Sequence, residues 1–187
     1  MTNIVLVLFL LVIPQTIDVR VTGLAVCEPE MKYQTQTIDF KEYVKGTLPN
    51  EWHPTWHEES LKAGALAVKM YAWSMYESQG YVWDCNWNQV YDPAKRTAMT
   101  DKAVDDTWDW TLLEYGNPYS NKAEIVRTYY DDYPAACYSR GHECMSQWQT
   151  QTDAVIGHKW QNIVMKNYEG ELVNAGLVID RHKPRIN

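Results

Sequence analysis

Phenylalanine is almost missing from this chain of 187 residues, which has 2 Phe beside 9 Trp and 13 Tyr. Trp and Tyr join an apolar body to a polar edge, so they serve half-wet grooves better than dry cores. Two readings of that bias stand open: a groove that stacks on sugar rings while donating hydrogen bonds, or an ordinary core rich in large rings. Positive charge is also short, with 17 Lys and Arg against 24 Asp and Glu and a formal charge of −7. Binding to a phosphate backbone needs a basic face that releases counterions, so no nucleic-acid partner is expected. No C-x-x-C pair occurs among the 4 cysteines, and no spacing among them is that of a zinc knuckle. His53 and His57 flank Pro54 and stand beside Glu58, but the H-E-x-x-H order of a metalloprotease helix is missing. No apolar run reaches the roughly 20 residues of a bilayer span, and no internal repeat or low-complexity segment is present.

What remains is enough for one domain with a real core, and an apolar content of 45% excludes wholesale disorder. The uncharged apolar run at residues 4–13 has the length of a signal-peptide core. Residues 1–15 are therefore read as a signal peptide, although Lys and Arg are missing ahead of the run and no small-x-small cleavage site follows. Leu24-Ala25-Val26-Cys27 hints at a lipidation box, but Val before the Cys and the distance from the apolar run reject it. Cys27, Cys85, Cys137 and Cys144 form an even set, compatible with an oxidising compartment. Disulfides, buried thiols and a metal site all stay open; Cys137, His142 and Cys144 are the candidate ligands should zinc bind, and no other cofactor is expected.

The stretch at residues 39–80 has the clearest punctuation. Asp39 and Glu42 make a capping box for a helix whose apolar face is Phe40, Tyr43 and Val44, and Gly46 and Pro49 mark its end. Glu51 then falls in the following turn, among Pro49, Trp52 and Pro54. Thr55 and Glu58 read as a second capping box, opening a long helix with Leu61, Ala65, Val68, Ala72 and Met75 on one face. Small residues at Ala63, Gly64, Ala65 and Ala67 permit close approach by a neighbour, and Gly80 suits the left-handed C-terminal position.

Elsewhere the pattern is coarser. Residues 16–26 alternate as a strand in which Gly23 marks a bulge, and residues 81–83 and 88–91 read as short strand pieces. Residues 100–110 read as a helix capped by Thr100. Residues 111–115 and 125–130 read as strands separated by a Gly116-Asn117 turn, and residues 134–144 as loop. Two helices, 145–156 and 159–168, break at Gly157, and a basic tail at 181–187 is read as disordered. The fold class expected is α+β: a single compact domain at residues 16–180, with a long central helix packed against small β-sheet pieces and two C-terminal helices.

Three blocks carry a resemblance to a known family. They are Tyr43-Val44-Lys45-Gly46-Thr47-Leu48-Pro49-Asn50-Glu51-Trp52 with Glu59-Ser60-Leu61-Lys62-Ala63-Gly64-Ala65 and the residues up to Ala72; Gln89-Val90-Tyr91 with Thr100, Ala103, Val104 and Thr107; and Met145-Ser146-Gln147-Trp148 with Gly157, Ile163, Tyr168 and Gly170. In this order they resemble the stage II sporulation protein D (SpoIID) family. The third block departs from the family pattern: His142 stands one residue closer to Met145, and Gln149 and Thr150 replace a Gly-Ala pair. Trp108-Asp109-Trp110 replaces the family's Thr-x-Gly, and most of the insertion of long members is missing.

The resemblance implies a secreted or cell-envelope enzyme, outside the cytoplasm, that cuts peptidoglycan glycan strands as a lytic transglycosylase, or a non-catalytic wall-binding relative that assists an amidase or another wall hydrolase. It maps the family's catalytic glutamate onto Glu51. One strong acid suffices for such a reaction, whereas a hydrolytic glycosidase normally uses two carboxylates. Trp52, Trp56 and the nearby prolines could desolvate Glu51 and raise its pKa. Ser146 and Gln147 are candidates to bind sugar hydroxyls or acetamido groups, with Ser146 alternatively a helix cap. His142, Tyr91, Tyr130 and Trp52 complete the expected substrate groove, and a monomer is expected.

Overall fold

The computed structural model describes residues 13–115, 123–139, 144–168, 171–174 and 177–180. Two strands open it, β1 (Thr16–Val21) and β2 (Gln34–Asp39), followed by helices α1 (Phe40–Glu51) and α2 (Glu58–Gln79). Next come β3 (Val82–Trp83), a single 3-10 turn (Pro93–Lys95), α3 (Ala98–Thr107), β4 (Thr111–Tyr115), β5 (Ala123–Ile125) and β6 (Tyr129–Asp131). The chain closes with α4 (Pro134–Ser139), β7 (Cys144–Ser146), α5 (Gln147–Val155), α6 (Trp160–Asn167), β8 (Glu171–Asn174) and β9 (Leu177–Asp180). The strands form three small sheets, ordered β2-β1-β3, β5-β4-β8-β9 and β6-β7. The α+β class, the long central helix and two C-terminal helices are as the sequence led one to expect.

Helix α2 is the axis, with 13 of its 22 residues buried. Its small residues permit this. Gly64 faces the indole of Trp52, and a Cβ at that position would overlap the ring. The helix ends where Gly80 turns left-handed at φ 79° and donates to the Tyr76 carbonyl. Lys69, 1% exposed, reaches from α2 to the end of α3, where its ammonium donates to the carbonyls of Thr107, Trp108 and Trp110. Burial pushes its pKa down to about 7, while those three acceptors favour the charged form.

Several boundaries differ from the sequence reading. Helix α1 does not stop at Gly46 or Pro49 but runs through Pro49 to Glu51. In the turn before this proline, the Asn50 side chain and the Asp92 amide both donate to Gly46 O, at 2.8 and 3.1 Å. Asp39 caps α1 as expected, accepting from the Glu42 amide at 3.0 Å. His57, not Thr55, caps α2, its ring accepting from the Glu59 amide; Thr55 instead turns back onto the His53 ring. Helix α3 is capped by Thr97 and begins at Ala98, with Thr100 completing a reciprocal box. Residues 145–146 belong to β7 rather than to a helix, and Ser146 caps α5. Residues 88–91 form no strand, residues 134–139 are helical rather than loop, and 125–130 split into β5 and β6. Gly23, at φ 74°, follows β1 as a turn rather than a bulge.

The cysteines pair as Cys27–Cys85 and Cys137–Cys144. This settles the alternatives left open for them and corrects the zinc reading of Cys137 and Cys144, whose sulfurs are bonded to each other and are not available as thiolates. No metal-holding group of His, Cys, Asp and Glu occurs among the described residues. No helix among them is long and apolar enough to cross a membrane. The leader at residues 1–12, the Gly116-Asn117 turn, His142, Gly170 and the tail at 181–187 lie outside the described residues.

The tight seat at Gly64 makes a test. Gly64→Ala should gain helix propensity yet lose about 1–3 kcal/mol net through overpacking against Trp52. Denaturant unfolding measures it, and an unchanged or raised midpoint would show that the seat is not tight.

Candidate active site

Glu51 is the last residue of α1, and Trp52 ends that helix in an extended conformation, its amide donating to Leu48 O at 2.8 Å. Trp52 is fully buried: its indole packs on Gly64, meets Tyr130 edge-on at 4.9 Å and donates to the Thr150 hydroxyl at 3.0 Å. This corrects the expectation that Trp52 contacts substrate. With its indole in the core, it fixes the position of Glu51 and adds apolar bulk behind it.

The half-buried Glu51 side chain opens into a cleft of about 340 Å³, which is also lined by Tyr71, Trp87, Tyr130, Asp132 and Gln147. Asn86, Asn88, Val90, Tyr129 and Asp131 complete the lining. No Lys or Arg is among these residues, so the cleft suits neutral sugar rings better than polyanions. One wall is residues 84–90. Asp84 ties this loop to the end of β1 by accepting from the amides of Thr22 and Gly23, at 2.8 and 2.9 Å, and from the Thr22 hydroxyl at 2.7 Å. The adjoining Cys27–Cys85 disulfide holds the same segment. The loop delivers the Val90 amide, which donates to Glu51 Oε1 at 2.7 Å.

The other wall comes from the parallel pair β6 and β7, in which Tyr130 lies opposite Met145 and Asp131 opposite Ser146. This pairing brings Asp132 and Gln147 to the same cleft. Gln89, 1% exposed, donates to the Tyr130 hydroxyl at 2.7 Å and accepts from Tyr43 at 3.3 Å. With its oxygen occupied, Tyr130 is placed to donate to Glu51, with which it shares a side-chain hydrogen bond. Burial and the nearby Glu51 charge hold the Tyr130 phenol well above its ordinary pKa, so it stays a donor.

Burial, above all, pushes the Glu51 carboxyl up to about 7; the Val90 hydrogen bond opposes it, the like charge of Asp132 adds to it, and the Tyr130 hydrogen bond lowers it a little. Its place at a helix C-terminus works in the same direction as burial, because the helix dipole disfavours a carboxylate there. Near neutral pH Glu51 is therefore partly protonated, where an ordinary glutamate is fully ionised.

Of the expected groove residues, Glu51, Tyr130 and Gln147 meet in the cleft. Tyr91 does not: it stacks on Tyr43 at 5.2 Å, covers Gly46 and lines a neighbouring hollow with Asp84 and Asp92. Ser146 uses its hydroxyl as the cap, donating to Asp132 O at 3.1 Å and accepting from the Gln149 amide at 3.2 Å. His142 is outside the described residues. Sequence reading missed Tyr71, Asn86, Trp87, Tyr129, Asp131 and Asp132. Asn86-Trp87-Asn88 beside Cys85 was a local signal of an exposed amide-and-aromatic loop; no local signal joined Asp132 to Glu51.

Residues 30–113 match a family model, SpoIID, described as stage II sporulation protein. This part of the chain belongs to the SpoIID family. The match takes in Glu51, α2 and the 84–90 wall, while Tyr130, Asp132 and Gln147 lie beyond it. Membership is consistent with a role in the cell wall or in sporulation. No curated protein sequence matches the chain.

The raised proton affinity of Glu51 has a signed consequence for stability. Between about 4.5 and 7 the folded chain binds this proton and the unfolded chain releases it, so the contribution is present below 4.5 and is lost as pH rises through 7. Glu51→Gln should therefore be more stable than the native protein at pH 8 by about 1–3 kcal/mol, after allowance for partial solvent screening, with the difference vanishing at pH 4. Thermal unfolding at the two pH values measures it; a variant less stable at pH 8 would contradict the assignment.

Proposed function

We propose that this SpoIID-family protein cleaves peptidoglycan glycan strands as a lytic transglycosylase, with Glu51 as its acid and base. The observation that carries this reading is a carboxyl at the end of a helix that opens into an amide- and ring-lined cleft, where burial raises its pKa to about 7. The Glu51 carboxyl gives its proton to the glycosidic oxygen as the C1–O bond breaks. The resulting carboxylate then takes the proton of the muramic acid C6 hydroxyl, whose oxygen bonds to C1. The products are a 1,6-anhydro end and a strand with a free hydroxyl, and Glu51 is protonated again. Tyr130 steadies the carboxylate between the two steps, and the Val90 amide fixes its orientation.

Two disulfides favour an oxidising compartment and so support placement in the cell envelope or outside the cell. The partner implied is the glycan strand itself.

Incubation with purified peptidoglycan, followed by mass spectrometry of the fragments, tests the reading. New 1,6-anhydromuramic ends are expected, with Glu51→Gln slower by a factor of at least about 100. Reducing ends without anhydro product would mean hydrolysis with Asp132 as a second carboxylate. Binding without new ends would mean a module that assists an amidase or another wall hydrolase.

Activity should also fall as pH rises through about 7, where Glu51 loses its proton. Removing the neighbouring charge in Asp132→Asn should move that alkaline limb to lower pH, as rate profiles of the two proteins would show. An unmoved limb would mean that Asp132 does not act on Glu51.

A further inference from the structure

The Glu51 carboxyl accepts from the Val90 amide at 2.7 Å and from the Tyr130 hydroxyl. Both donors lead back to one residue that stands behind the cleft rather than in its lining. Gln89 precedes Val90 in the chain and is only 1% exposed, so its carboxamide belongs to the core. The Nε2 of Gln89 donates to the Val68 carbonyl of α2 at 3.2 Å and to the Tyr130 hydroxyl oxygen at 2.7 Å. Its Oε1 accepts from the Tyr43 hydroxyl of α1 at 3.3 Å.

The direction of these bonds is forced. Val68 O can only accept, so the carboxamide turns its nitrogen towards it and its oxygen towards Tyr43. The second N–H of that nitrogen then meets the Tyr130 oxygen. A carboxamide turned the other way would set its oxygen against Val68 O. It would also accept the Tyr130 proton itself and leave Glu51 without that donor. The Tyr130 ring is held by Trp52, edge-on at 4.9 Å, and by Tyr71 at 6.1 Å. Rotation of its O–H is the freedom that remains, and Gln89 removes it.

We propose that Gln89 is a positioning residue for Glu51: by donating to the Tyr130 oxygen it aims the single phenolic O–H at the Glu51 carboxylate. This rests on the acid-and-base reading above and deepens it. The aimed O–H matters most after Glu51 has given its proton to the glycosidic oxygen, because a hydrogen bond to a charged acceptor is stronger than one to a neutral carboxyl. Gln89 acts from the core side and touches no substrate. The titratable groups that face Glu51 are Tyr43, Tyr71, Tyr130 and Asp132. Burial holds all three phenols above their ordinary pKa, so none of them ionises while Glu51 titrates.

The test follows the Glu51 ionisation by carboxyl carbon-13 NMR in Gln89→Met, Tyr130→Phe and the double variant, beside strand cleavage. Each single variant loses a bond that favours the carboxylate. Both should therefore raise the Glu51 midpoint by equal amounts, and the double variant should raise it no further. In each, kcat should fall about tenfold, the rate equivalent of one hydrogen bond, with KM little changed and the double variant no slower. A midpoint unmoved in Gln89→Met, or shifts that add in the double variant, would overturn the proposal. A residue that only supports the fold or the Val90 amide would act whether or not Tyr130 has its hydroxyl. Should Gln89→Met not fold, nitrogen-15-labelled native protein carries the test: a Gln89 side-chain N–H should move downfield as Glu51 ionises, and Tyr130→Phe should abolish that response. An N–H that does not respond, or responds equally in Tyr130→Phe, would overturn the proposal. Coupled midpoints in a native protein that cuts no glycan strand would keep the positioning of Glu51 and overturn its catalytic reading. Cleavage with uncoupled midpoints would do the reverse.

Discussion

The seat of the Trp52 indole on Gly64 is the contact on which the site depends. It lets α1 approach α2 closely, because the missing Cβ leaves room for the ring. The same indole reaches Thr150 in α5 and Tyr130 in β6, so one side chain ties together the helix that carries Glu51 and the elements of the opposite wall. Glu51 precedes Trp52 directly in the chain and cannot be displaced without disturbing that seat. A carboxyl on a free loop would lose orientation; here it sits at the end of a helix locked by packing.

Around that fixed point the protein arranges competing electrostatic effects. Burial, the helix end and Asp132 all favour the protonated carboxyl, whereas the Val90 and Tyr130 hydrogen bonds favour the charged one. The balance settles near neutrality, which suits the acid and base role proposed for Glu51. The walls are correspondingly rigid. Asp84 and the Cys27–Cys85 disulfide hold one, and the other is held by β6–β7 pairing, the Ser146 cap and the Cys137–Cys144 disulfide.

Local chemistry made part of this legible in the sequence. Asp39 announces the start of α1 and Gly80 the end of α2, because caps depend on residues close in the chain. The small residues of α2 announced a close neighbour without saying which. The polar strand β2, QTQTID, was not recognised because it lies largely exposed against β1 and has no buried face to alternate with. Pro49 reads as a helix stop in the sequence, yet the helix runs on to Glu51, where Gly46 O is held by the distant Asp92 amide and by the Asn50 side chain. Trp52 reads as a groove residue in the sequence because Gly64, which makes room for its indole, lies on the next helix. Asp132 went unnoticed because parallel strand pairing, a non-local feature, is what carries it to Glu51.

The dependence of the whole site on a proton held by Glu51 can be measured directly. Carboxyl carbon-13 NMR of the glutamate-labelled native protein, with the Glu51 resonance identified by its loss in Glu51→Gln, follows this one ionisation through a pH titration. A midpoint near 7 is expected for a carboxyl buried behind Trp52 and facing Asp132. A midpoint near the ordinary 4.5 would show Glu51 already ionised at neutral pH, and would contradict its role as the proton donor.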